Sequence, residues 1–309
     1  MRKNALTICC FVCAFGAFGA FFRWLQNQIA VDHETGVMTP SILNVLVPAI
    51  IIAAAVVFYF VIRSKMGKCV FSSDMYETFR GTTRFLNIAA WIVGAVMIIG
   101  GLAAMLGARF DPQAGMIKLI SLLAILTGAS FPSICSTAKK RMAPGIVSTF
   151  SAIPILMLVI WLIACYMRNS SIPNVWSYAI EIIAVCAAIV AFYYVAGYSF
   201  GKPRPYASLY SAMLGAFMCC VTLADSRYFG LQMIVFAAAA MLLMYCWMIV
   251  SNMREAEYSA PAAAKAAAEA LARTEEAEEE PEPAAEEVIA PGLEIASDEP
   301  TLQAPERRD

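Results

Sequence analysis

The chain has 309 residues, 22 Lys and Arg against 23 Asp and Glu, a formal net charge of −1, and 61% hydrophobic against 15% charged residues. That composition excludes a disordered chain, an ordinary basic nucleic-acid-binding domain and almost any soluble enzyme. The near-neutral sum averages two unlike pieces: residues 1 to 254 hold 18 basic and 7 acidic residues, net +11, while residues 255 to 309 hold 4 and 16, net −12.

A helix needs about 20 mainly apolar residues to cross a hydrocarbon core of roughly 30 Å, because every backbone N–H and C=O must be satisfied within the segment. Eight stretches meet or approach that length: Ala5 to Phe22, Ile42 to Ile62, Phe85 to Ala108, Met116 to Ala138, Gly145 to Met167, Val175 to Ser199, Ala207 to Ala224 and Phe229 to Val250. The expected fold is therefore all-α: a polytopic transmembrane helical bundle over residues 1–253, followed by an Ala/Glu/Pro-rich acidic tail over 254–309.

In the first span, Arg2 and Lys3, a short apolar run and the small-residue site Ala17-Phe18-Gly19 also resemble a secretory signal peptide, whose removal would leave seven spans. Arg23 and Trp24 read instead as an interfacial anchor at the end of a retained span. Cys10-Phe11-Val12-Cys13 matches C-x-x-C spacing, but it lies in an apolar helix with no second pair and no nearby histidine, so no metal and no cofactor are expected. The remaining cysteines read as small, polarizable filler, with Cys69 in a basic loop the one expected to be accessible for acylation. Asp32-His33-Glu34 contains the only histidine and reads as a solvated turn.

The loop from Arg63 to Arg84 carries Phe71, Met75 and Phe79 at spacing four among five basic residues, so either a short amphipathic helix on an anionic leaflet or a snorkelling loop is expected. Small residues at spacing four mark close helix contacts in the first span (Gly16, Ala20), the third (Ala90 with Gly94; Gly100, Ala104 and Ala108) and the seventh (Ser211, Gly215, Cys219). Packing within one bundle is the simpler interpretation and a homo-oligomer face the alternative.

The fourth span ends with Thr127, Ser130, Ser133 and Thr137 on one helical face around Pro132 and runs into Lys139, Lys140 and Arg141. The fifth begins with Ser148, Thr149 and Ser151 before Pro154. Two such stretches joined by a short connection could form a hydroxyl-lined inner pocket with a basic rim for an anionic headgroup or substrate, or simply re-satisfy backbone around two prolines. Glu181 is the single acidic residue inside a span, about 9 Å below its outer end at 1.5 Å per residue. A carboxylate there must find a cation, a cavity or a proton. Lys118 at the start of the fourth span is the expected partner, and Tyr178, one turn outward, the neighbouring hydroxyl. The fourth and eighth spans do not match as repeats, because Phe229 to Val250 has neither Pro nor Ser.

Lys and Arg favour cytoplasmic loops. With the N-terminus inside, the inner segments carry twelve (Arg2, Lys3, Arg63, Lys65, Lys68, Arg80, Arg84, Lys139, Lys140, Arg141, Lys202, Arg204) and the outer ones five (Arg23, Arg109, Lys118, Arg168, Arg227). Both termini are thus expected in the cytoplasm of a multi-pass cell-membrane protein. Histidine-dependent proteases and acyltransferases, paired intramembrane aspartates and paired acidic Mg²⁺ clusters all lack their residues here, so no enzymatic role is expected. A sensor, regulatory or assembly component is the preferred role, and a transporter using Glu181 and the inner pocket the alternative. The expected partners are the bilayer, anionic headgroups at the inner loops, and a basic protein or a second copy of the chain, with no nucleic acid.

The tail after Pro261 begins as an Ala-rich helix with a Glu269–Arg273 pair; Pro281 and Pro283 stop it, and the remainder is too rich in Glu, Pro and Ala to bury a core, so disorder is expected. A −12 tail on the same side as most of the cations should associate with the inner loops at low ionic strength and release as salt rises, since screening acts within about 8 Å near physiological salt. Tail mobility from a spin label at position 290 should therefore rise with salt; equal mobility at low and high salt would reduce the tail to a solvated appendage.

Overall fold

A computed structural model describes residues 2–30, 39–66, 69–70, 75–79, 84–111, 113–137, 144–169 and 176–255. The Asp32-His33-Glu34 turn, Phe71, the Lys139-Lys140-Arg141 rim and the tail beyond 255 lie outside those residues. The chain divides into two units, Met1–Ser259 and Ala260–Asp309.

Eight helices in the first unit are long and apolar enough to cross a membrane. They are α1 (Arg2–Ile29), α2 (Leu43–Met66), α4 (Arg84–Gly107), α5 (Ala114–Thr137), α6 (Pro144–Asn169), α7 (Trp176–Ser199), α8 (Pro205–Thr222) and α9 (Phe229–Ser251); a single turn, α3 (Met75–Thr78), lies between α2 and α4. The protein is a multi-pass transmembrane helical bundle. An even number of crossings brings Arg2 and Ser251 to one end, the terminal end, and leaves the α1–α2, α4–α5, α6–α7 and α8–α9 connections at the other.

Helices α4 to α7 pack side by side in chain order, α8 returns beside α7, and α9 fills the space against α8, α4 and α1. Helix α1 lies on α8 and α9, and α2 lies outside, packed on α1 and α8. Burial follows this order: 67% of the most apolar window is covered in α8 and α9, against 22% in α2. Helix α2 is held by Phe58, fully buried, whose ring meets Phe11 and Phe15 of α1 and Phe217 of α8 at centroid distances of 6.0, 6.0 and 5.7 Å.

Small residues set the close contacts, and they do so inside the bundle. Without a water-driven hydrophobic force between helices in lipid, association depends on how closely backbones approach. A Cβ at Gly94 of α4 would stand 2.5 Å from the Gly128 carbonyl oxygen of α5, and one at Gly128 would stand 2.6 Å from that of Gly94. Pro132 leaves the Gly128 carbonyl without its usual helical donor, and the glycine pair lets α4 close over it. On its other side α4 turns Gly100 and Ala104 toward Gly230 of α9, while Gly16 and Gly19 of α1 receive Cys220 and Val221 of α8. Helix α1 thus packs closely on α8.

Two expectations change. The first span does not stop at Phe22; α1 continues to Ile29, with Arg23 only 2% exposed inside the protein rather than anchored at the interface, because Asp225 pairs with it there. The Met75 and Phe79 loop is no surface helix either. Both residues are buried, and Phe79 stacks edge-on against Tyr198 of α7 and Tyr245 of α9 at 5.1 and 5.3 Å. Asn252 Nδ2 donates to the Thr78 carbonyl at 2.7 Å, and Cys69–Val70 (β1) pairs antiparallel with Arg254–Glu255 (β2), tying this loop to the end of α9. A two-residue ladder is the only strand among the described residues.

Gly128→Ala should destabilise the bundle by about 1–3 kcal/mol, since the new methyl has no room between α4 and α5. Gly115→Ala, with nothing within 4 Å, should be neutral or stabilise by about 0.4–1 kcal/mol. Thermal unfolding of both variants in detergent measures the contrast.

Candidate functional site

The polar residues converge at the end opposite the termini. Arg23, Gln26 and Asn27 share one face of the last turns of α1 through i, i+3 and i, i+4 spacing. That face meets the α8–α9 turn, where Asp225 accepts from Arg23 Nε at 2.7 Å, Asn27 Nδ2 at 3.2 Å and Arg227 Nη2 at 3.2 Å. Arg227 also donates from Nη1 to the Thr222 carbonyl at 2.8 Å, which accepts from the Asp225 N–H as well, at the C-terminal end of α8. Its Nε reaches Glu181 Oε1 of α7 at 3.1 Å, and the same oxygen accepts from Trp161 Nε1 of α6 at 3.1 Å. Arg23 Nη1 donates to Gln26 Oε1 at 2.9 Å, and Gln26 Nε2 to Asn44 Oδ1 of α2 at 3.0 Å. One connected network therefore joins α1, α2, α6, α7 and the α8–α9 turn.

The network is well covered: the side chains of Arg23 and Arg227 are 3% and 6% exposed, and those of Asp225 and Glu181 13% and 21%. Arg168 at the end of α6 differs, with a side chain 43% exposed while its Nη2 contacts Asp111 Oδ2 of the α4–α5 connection at 3.2 Å. Between these groups opens a cavity of about 490 Å³, walled by Arg23, Arg168, Arg227, Glu181 and Asp225 together with Asn27, Asn169, Tyr178 and Trp161. Three guanidinium groups and two carboxylates line it, and the third carboxylate, Asp111, pairs with Arg168 beside the wall, so each cation there has an acidic partner. Directly inward, Leu158, Val185, Ala188, Ile234 and Ala238 close around an apolar void of only about 20 Å³, the scale of a single water at most.

Of the sequence-derived candidates, Glu181 and Tyr178 share this cavity wall. The cation on Glu181 is Arg227; Lys118 is exposed on α5 and is not its partner among the described ion pairs. An arginine presents several donors in a rigid fork and so can bridge both carboxylates at once, which a lysine on the outer surface of α5 does not reach. Arg23, Asp225, Arg227 and Trp161 are the residues that sequence reasoning did not assign to the site. Their one signal was a lone Arg or Asp just past an apolar run, which reads equally well as a membrane-edge charge.

The inner hydroxyls do not gather into one polar site. Thr127 donates to the Leu123 carbonyl at 2.8 Å, Ser130 to Thr127 at 3.0 Å, Ser133 to Ala129 at 3.5 Å and Thr149 to Gly145 at 2.9 Å, each within its own helix. Ser148 donates to the Ser199 carbonyl at 3.1 Å and Ser151 lies 2.8 Å from the Ser199 hydroxyl, so this pair faces α7. The side chain of Thr137 lies outside the described residues, with the basic rim. Hydroxyls that back-bond around prolines satisfy backbone in a low-dielectric setting, which is the structural role foreseen for them.

The cysteines hold no cluster: Cys10 and Cys13 are exposed on α1, Cys9 Sγ contacts the Leu243 carbonyl, and no group of three His, Cys, Asp or Glu able to hold a metal occurs among the described residues. The side chain of Cys69 lies outside the described residues. The chain matches no protein-family model, and no curated protein and no solved structure is similar to it.

Arg23→Ala should destabilise by about 1–3 kcal/mol, because it removes one of the three donors to Asp225 and takes the donor from Gln26 Oε1 in a covered site. Arg168→Ala should cost less, about 1 kcal/mol, because the lost guanidinium is half-exposed and the covered Asp111 keeps the Gln113 N–H at 2.8 Å. Unfolding of the two purified variants, side by side, checks the order.

Proposed function

We propose that the protein is a membrane-embedded receptor of sensory or regulatory role, which binds a small solute carrying an anionic group in the arginine-walled cavity. The observation that carries this is the pairing of a polar cavity of about 490 Å³ with a tightly packed apolar floor. Its volume falls within the range of small-molecule sites, and its walls combine apolar surface with a few convergent polar groups. Arg168, the arginine of the cavity wall whose side chain reaches solvent, uses one donor on Asp111 and can turn its others toward a carboxylate or phosphate.

Binding is favoured over passage. Transport needs a hydrated path from Glu181 to the terminal end, whereas the side chains beneath the cavity are aliphatic and the hydroxyls of α5 and α6 are engaged with backbone carbonyls. Binding is likewise favoured over catalysis: Glu181 and Asp225 are each engaged by arginine, so both carboxylates serve the network that walls the cavity. The excess of Lys and Arg in the terminal-end loops supports cytoplasmic termini in a cell membrane, so the cavity faces outward and the tail inward.

Trp161 is a built-in reporter, since its indole lines the cavity and donates to Glu181. Titrating the purified protein with succinate, glutamate and phosphate should give a saturable change in emission for at least one of them. The change should vanish in Trp161→Phe and weaken about tenfold in Arg168→Gln, the loss of one charge-assisted hydrogen bond. If none of the three gives a saturable response by emission or by thermal stabilisation, the receptor reading is wrong.

A further inference from the structure

We propose that the crevice between α2 and α8 at the terminal end is a binding site for an anionic phospholipid of the surrounding bilayer. It is a second cavity, of about 590 Å³, lined by Tyr59, Ile62 and Arg63 of α2 and Tyr206, Ala207 and Tyr210 of α8. This site is at the opposite end of the bundle from the arginine-walled cavity and does not depend on it.

Position is the first argument. The apolar spans of these helices run Leu43–Ser64 and Pro205–Thr222, so Arg63 stands one residue before the end of its span and Tyr206 one residue after the start of its own. Both are therefore at headgroup depth, while Tyr59 and Tyr210 sit one turn deeper on the same walls. Helix α2 is the outermost span, packed on α1 and α8, and Tyr59 and Tyr206 are 50% and 45% exposed on a surface that faces lipid. Tyrosine belongs at this depth, its ring in the acyl region and its hydroxyl among headgroups.

Charge is the second argument. Arg63 Nη1 donates to Tyr59 Oη at 3.3 Å, which orients the guanidinium along the crevice wall; among the described residues that is its one hydrogen bond, and its side chain is exposed. Lys202 and Arg204, both exposed, immediately precede α8. Among the side chains described at this end, Arg63, Arg84, Lys202 and Arg204 stand against a single carboxylate, Glu77. A guanidinium with donors in reach of the headgroup plane recognises a phosphodiester, and a basic pocket between transmembrane helices is the arrangement that holds an anionic lipid. Tyr210 donates to the Ala55 carbonyl at 3.4 Å and so bridges α8 to α2 behind the crevice, leaving Ile62, Ala207 and the tyrosine rings as its apolar lining for an acyl chain.

The test uses the full chain purified in detergent and exposed to equal amounts of phosphatidylglycerol and phosphatidylcholine, with bound lipid counted by native mass spectrometry. Phosphatidylglycerol should be retained in preference, and Arg63→Gln should reduce that preference about fivefold, the contribution of one cation near a membrane surface. Ala207→Trp fills the crevice with Arg63 intact and should expel both lipids, which keeps the test decisive if the arginine variant fails to fold. Equal retention of the two lipids by the native chain, or unchanged phosphatidylglycerol retention in Ala207→Trp, overturns the proposal.

Discussion

Asp225 accepts from Arg23, Asn27 and Arg227, and Arg227 in turn holds Glu181, in a bundle whose outer surface faces hydrocarbon. Charges so placed are costly unless every one is paired and its remaining donors are satisfied, and one missing partner leaves an uncompensated ion. The rest of the end depends on this condition. Helix α1 can run on past Arg23 to Ile29 only because Asp225 meets the guanidinium; the α8–α9 turn can sit at the mouth only because Arg227 caps α8 and reaches α7. The cavity exists because these long side chains span between helix ends instead of letting the helix ends close together.

The terminal end is organised by different physics. There Phe79, Phe131 and Phe192 surround Tyr245 edge-on at 5.3 to 6.3 Å, and the loop after α2 is secured by the Asn252–Thr78 hydrogen bond and by the pairing of β1 with β2. Aromatic packing and hydrogen bonds to α9 and β2 fix this loop. Between the two ends, glycine-mediated contacts of α4 with α5 and α9 leave a dry, tightly packed middle.

Helix α9 joins these regions. Leu231 near its start lines the cavity, Gly230 receives the backbone of Ala104, and its far end leads through Asn252 into β2. A solute that alters the Arg227 contacts at one end acts on a helix whose other end carries the loop that meets β2. For the proposed receptor role, the continuity of α9 offers a physical link between the two ends with no passage for a solute.

Class and span number were legible in the sequence alone, because a bilayer demands long apolar runs and eight of them are plain along the chain. Packing of small residues inside the bundle was also legible, since Gly94, Gly100 and Gly215 repeat at helical spacing with small neighbours. The site was legible only in part: Glu181 stood out as a lone carboxylate in an apolar run, but its partner did not. Arg23, Trp161 and Arg227 are separated from their acidic partners by 202, 20 and 46 residues, and no local rule links such positions. The hydroxyls of α5 and α6 carry the complementary ambiguity: their pattern on a helical face is the same whether they point at a ligand or back at a carbonyl, as Thr127 and Thr149 do. Local periodicity decides what crosses the membrane; which charges meet is decided only when the helices pack, because in a low-dielectric bundle each ion must be matched by whatever neighbour the fold brings to it.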